Sequence, residues 1–159
     1  MYKRQLLGLD HLLAMIAVGI IAVQSGGRAV WSVPLTFVSA MILGGILGMA
    51  GVQLPFVETG IAFSLLVFGS LIAVSKKLPT SLEIVCVSLF ALFHGHAHGT
   101  EMTAASNPVL FTTGFILSTA ALHSAGILAG LSAKRASFSL HVLKASGVAM
   151  SVAGVVFFI

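Results

Sequence analysis

Residues 35–52 read Leu35-Thr36-Phe37-Val38-Ser39-Ala40-Met41-Ile42-Leu43-Gly44-Gly45-Ile46-Leu47-Gly48-Met49-Ala50-Gly51-Val52 and hold no charged side chain. At about 1.5 Å of rise per residue, a helix of this length approaches the roughly 30 Å hydrocarbon core of a bilayer. Working outward, the same test predicts further spans near 6–24, 57–75, 81–99, 109–131 and 140–159. The breaks fall at 25–34, 53–55, 76–80, 100–108 and 132–139, where Pro34, Pro55, Pro79 and Pro108 punctuate the chain. The expected fold is all-α: a polytopic membrane protein, a bundle of about six transmembrane helices forming one domain over residues 1–159. Loops this short predict that consecutive helices are antiparallel neighbours.

Composition agrees with the spans. The 159 residues are 58% hydrophobic and 8% charged, with a mean hydropathy of +1.11, whereas a soluble domain is about 25% charged. So few charges exclude a water-soluble globule, while a bilayer asks for an apolar surface over internally bonded backbone. The pI is about 9.7, yet the cations are Lys3, Arg4, Arg28, Lys76, Lys77, Lys134, Arg135 and Lys144, never more than two together. They mark loop ends and form no phosphate-binding stripe, so nucleic acid is not an expected partner. Cys86 is the only cysteine, which excludes an intrachain disulfide and a CxxC site.

Gly44 and Gly48, Gly95 and Gly99, and Gly126 and Gly130 are each four residues apart. In lipid this spacing lets helix backbones approach closely. Tight packing without chemistry is the reading for all but Gly95 and Gly99, which lie among histidines. Basic residues in short loops set orientation. Arg28, Lys76, Lys77, Lys134 and Arg135 fall on one side against Lys3 and Arg4 on the other, which predicts both termini outside. Lys3 and Arg4 also resemble the start of a signal peptide, but Asp10 and His11 within the apolar run and the lack of a clean A-x-A-like site argue against its removal.

An ionisable side chain at membrane depth costs roughly 2.5–3.5 kcal/mol, so placement is the strongest functional signal. His11 and His94 are expected at equal depth, roughly 6 Å to the outer side of the midplane. Asp10 adjoins His11, and Glu58 and His98 are expected about 12 Å out, with Glu101 near the surface. In Phe93-His94-Gly95-His96-Ala97-His98-Gly99-Thr100-Glu101, a helix puts His94, His98 and Glu101 on one face and turns His96 away. Unwinding at the glycines would instead align His94, His96 and His98. Either form gathers imidazoles and a carboxylate, a donor set suited to Ni²⁺, Co²⁺, Zn²⁺ or Cu²⁺.

The remaining groups are more ambiguous. Glu58 either favours the start of its helix through the dipole or takes part in the site. Met15, one turn below His11, reads as core. His123 is either an inner relay or a satisfied core histidine, and His141 with Lys144 reads as interfacial.

Gly8-Leu9-Asp10-His11-Leu12-Leu13-Ala14-Met15, Val57-Glu58-Thr59-Gly60-Ile61-Ala62 with Ser64, Phe93 to Glu101, and Leu122-His123-Ser124-Ala125-Gly126 together resemble the HupE/UreJ proteins, in family order over nearly the whole chain. The resemblance implies a bacterial inner-membrane nickel or nickel/cobalt permease supplying hydrogenase or urease. The family pattern usually begins His-Pro-x-x-Gly-x-Asp-His, and its first two positions are Arg4 and Gln5 here. Family members also commonly carry a longer N-terminus with a signal peptide.

The leading expectation is therefore a secondary transporter and not an enzyme, with a divalent transition-metal ion as cargo, no permanently bound cofactor, the lipid bilayer as solvent, and a homo-oligomer left open. His94, His98, Asp10 and His11 would form the main metal site, Glu58 and Glu101 would attract the cation, and His96 and His123 would be auxiliary. The alternative is a b-type haem electron carrier with His11 and His94 as axial ligands. A histidine-rich oxidase or hydrolase is disfavoured by the single cluster and the absence of HExxH. A structural accessory subunit is the remaining reading.

Overall fold

The computed structural model describes residues 2–75, 78–102, 107–135 and 137–158, with side chains described at all of these except 2–7 and 137–139. The side chains of Lys3, Arg4 and Gln5, and Lys76 and Lys77, therefore lie outside the described residues. Six helices follow in order: α1 Tyr2–Ser25, α2 Ala29–Met49, α3 Val57–Val74, α4 Thr80–Glu101, α5 Pro108–Arg135 and α6 Ser137–Phe158. All six are long and apolar enough to cross a membrane. Large apolar side chains such as Trp31, Leu35, Leu89, Leu117 and Val156 point outward, as expected where the surroundings are lipid and not water.

Two expected breaks are shorter than the sequence suggested. Pro34 does not end a loop; it lies inside α2, which begins at Ala29. A proline so near the helix start lacks one N–H and crowds the carbonyl of Val30, a disturbance confined to the opening turns, and membrane helices tolerate it where nearby groups re-satisfy the backbone. The 132–139 break contracts likewise, because α5 continues to Arg135 and α6 starts at Ser137.

Consecutive α1 and α2, α3 and α4, and α5 and α6 touch as expected, but the tightest pairing departs from expectation. The closest pairs are α2 with α4, α3 with α6, and α1 with α5, none consecutive. Glycines account for this. A Cβ on Gly95 would run into the Met41 carbonyl, and one on Gly44 into that of Leu92. Gly48 and Gly99 meet α4 and α2 in the same way, in a parallel register. Gly19 and Gly126 join α1 to α5, while Gly69 and Gly147 join α3 to α6. With no hydrophobic drive between helices in lipid, the pairs that approach closest gain the most dispersion contact, and loop length does not choose them. Gly95 and Gly99 are thus packing residues after all, and their packing turns the histidine face of α4 inward.

Helix α1 is the hub, touching each of the other five helices. Ala14, Ala17, Val18 and Ala22 are wholly buried on it. Because α1 fills the centre, polar side chains on its inward faces are enclosed by protein; Asp10 is 1% exposed.

Candidate metal site

The site begins with the turn of α1 at Asp10. Its carboxylate accepts the backbone N–H of His11 at 2.7 Å and faces His11 Nδ1 at 3.1 Å. A carboxylate accepts only, so Nδ1 carries the proton and the ring's lone pair lies on Nε2. This is how carboxylates commonly orient metal-binding histidines.

Across the bundle, α4 contributes His94, which is fully buried. Its Nε2 lies 3.0 Å from Ser64 Oγ on α3. The Ser64 hydroxyl also lies 2.7 Å from the Ile61 carbonyl, and in the arrangement where it donates there it accepts from His94 Nε2–H. That tautomer leaves the lone pair of His94 on Nδ1, a buried nitrogen with no hydrogen-bond partner among the described residues. The rings of His11 and His94 meet edge to face, centroids 4.5 Å apart. That contact is what equal depth on two neighbouring spans requires.

His98, one turn along α4, lies 5.0 Å from His11 between ring centroids and stacks on Phe115 of α5, planes 6° apart at 5.5 Å. The structure thus brings Asp10, His11, His94 and His98 together from α1 and α4. Helix α4 runs unbroken through Glu101, so the helical alternative holds and the unwound one does not. His96 turns away: its Nε2 donates to the Val52 carbonyl at 2.7 Å, beneath the α2–α3 loop. There it borders a cavity of about 470 Å³ together with residues 51–55 and Thr100.

Glu58, in the first turn of α3, and Glu101, at the end of α4, are exposed and stand outside the buried cluster. His123 of α5 is buried but separate from the main cluster. The Phe37 ring stands beside both groups, 5.8 Å from His94 and 5.2 Å from His123. Neither His123 nitrogen has a hydrogen-bond partner among the described residues. Among the described residues, no group of three or more His, Cys, Asp or Glu side chains is arranged to hold one ion. The rings in their present rotamers form a cluster and not a coordination shell.

Two contributors escape a reading of the sequence alone. Ser64 is a lone hydroxyl in an apolar run, and its place beside the Val57–Ala62 motif was its only signal. Phe37 carries no polar atom to mark it. The haem alternative meets a steric obstacle: with the His11 and His94 rings in edge contact, no slot separates them for a porphyrin.

A six-helix apolar bundle with a buried imidazole and carboxylate cluster defines the molecule as a polytopic membrane protein. The chain matches the HupE / UreJ protein family over residues 5–157. It is also 45% identical over 148 residues to Protein HupE of Rhizobium leguminosarum bv. viciae, covering 92% of this chain and 76% of that one. The chain belongs to the HupE/UreJ family. No solved structure matches it.

Proposed function

We propose that the protein is a secondary permease for Ni²⁺, with Co²⁺ as a second cargo, in a bacterial inner membrane with both termini outside. The family is linked to nickel and cobalt uptake for hydrogenase and urease. The observation that carries the reading is the His11–His94 ring contact, with Asp10 and Ser64 each holding the proton side of one imidazole. Neutral imidazoles with assigned lone pairs are ligands prepared for a borderline cation.

Loading would need only side-chain rotation, with His98 swinging from Phe115 toward His11 as a third donor. A site assembled on arrival holds its ion less tightly than a preformed cage, as transport demands, since an ion bound too strongly does not leave. Glu58 and Glu101, exposed at the same end, would concentrate cations there. His96 beneath its cavity would be an auxiliary donor, and His123 beyond Phe37 an inner waypoint.

The decisive experiment is titration calorimetry of Ni²⁺, Co²⁺ and Zn²⁺ into detergent-purified protein and into a variant carrying His94→Ala and His98→Ala. Saturable Ni²⁺ binding that the variant loses supports the site. Identical weak binding in both proteins overturns it.

A further inference from the structure

The opposite end of the bundle holds a second buried acid. Glu83, in the first turn of α4, is 2% exposed. The Ser25 hydroxyl, at the last residue of α1, donates to its Oε1. Its Oε2 has no hydrogen-bond partner, and the carboxylate forms no ion pair among the described residues.

Helix capping does not account for this placement. The start of α4 shows no side-chain cap, and the backbone N–H groups of Leu82 and Glu83 are satisfied by the Pro79 carbonyl at 2.9 and 3.2 Å. On α5, Lys134 donates to the Val23 carbonyl near the same end of α1. Gln24, next to Ser25, ties α1 to the end of α3 through Ile72 O at 3.2 Å and Ser75 Oγ at 3.3 Å. A bare carboxylate oxygen is expensive to bury, and a fold that encloses one among pinned helix ends keeps it available.

The two polar centres are spaced along the same two helices. From His94 to Glu83 on α4 is about 16 Å, and from His11 to Ser25 on α1 about 21 Å. Apolar side chains including Val87, Phe90, Ala91 and Ile21 fill the stretch between. The histidine end offers nitrogen donors and this end offers oxygen, which binds late first-row ions more weakly than imidazole does and suits harder ions.

Building on the transport reading, we propose that Glu83 with Ser25 is a second cation station, an oxygen-donor site at the inner end from which the divalent ion is released. The ion passes from tighter nitrogen ligation to weaker oxygen ligation. Glu83 supplies the negative charge and its open Oε2 the vacant donor, while Ser25 holds the carboxylate in place.

The test uses the full chain in two preparations. In the His94→Ala, His98→Ala background, Mn²⁺ titration followed by electron paramagnetic resonance should reveal one bound equivalent that Glu83→Gln removes. If Glu83→Gln leaves Mn²⁺ stoichiometry unchanged, the station does not exist. In proteoliposomes with otherwise native sequence, Glu83→Gln should bind Ni²⁺ from the outer side with wild-type affinity yet lower uptake at least tenfold. Ser25→Ala, which keeps the charge and loses the hydrogen bond, should lower uptake less than Glu83→Gln does. Because Gln still accepts from Ser25, loss in Ser25→Ala with normal uptake in Glu83→Gln would mean a structural tie and overturn the assignment. Wild-type vesicles that take up no Ni²⁺ would refute the permease reading itself, independently of the Mn²⁺ result.

Discussion

Ser64 Oγ and His94 Nε2 stand 3.0 Å apart, and with the serine proton given to the Ile61 carbonyl the histidine is the donor. One hydroxyl on α3 thus decides which nitrogen of a fully buried ring on α4 faces outward with a lone pair. The pairing mirrors Asp10 and His11 on α1, so each of two rings in mutual contact has its proton fixed by a different partner.

Ser64→Ala should therefore weaken Ni²⁺ binding. The substitution strands His94 Nε2–H in the core and frees the tautomer, and loss of such outer-sphere partners typically costs about 10–100-fold in metal affinity. Calorimetry checks this, with unchanged far-ultraviolet circular dichroism showing that the fold is intact.

Asp10→Asn tests the other orienting group. The amide oxygen can still accept from His11 Nδ1–H, but the negative charge that favours a bound cation disappears. We expect at least about tenfold weaker Ni²⁺ binding, read by the same titration.

Binding should follow pH in one direction. A ligand imidazole must shed its proton to bind metal, so protons compete with Ni²⁺ and affinity rises with pH. Binding should therefore weaken as pH falls and level off once the ligand imidazoles are neutral in the free protein. Ni²⁺ titrations carried from about pH 8 down to the acid limit of the folded protein that give one flat affinity throughout would argue against histidine ligation.

Gly95→Ala probes the scaffold. Its Cβ would press on the Met41 carbonyl, with Gly45 N at 2.9 Å, and backbone cannot yield as a side-chain tip does. Overpacking of this kind costs about 1–3 kcal/mol. Thermal unfolding in detergent should show a lowered midpoint together with weakened Ni²⁺ binding, because α4 carries His94 and His98. Gly114→Ala is the control, since nothing lies within 4 Å of its added methyl, and it should unfold as the native chain does.

The amino-acid sequence by itself determined the all-α membrane class and the six spans, because a bilayer demands about 20 apolar residues per crossing whatever the helices later touch. It also marked Asp10, His11, His94 and His98, since an ionisable group inside a span is too costly to be incidental. It misplaced the helix start before Pro34, where a local rule against proline yields when only the opening turns are disturbed.

Only the tertiary structure decided which helices pair, because closest approach between spans depends on glycine faces meeting across the bundle and not on the order of the chain. That pairing set His96 against the Val52 carbonyl. It also gave Ser64 and Glu83 their significance: a hydroxyl or carboxylate near a span's end looks ordinary in one dimension. Its chemistry is set by whether a neighbouring helix brings it a partner or leaves it bare.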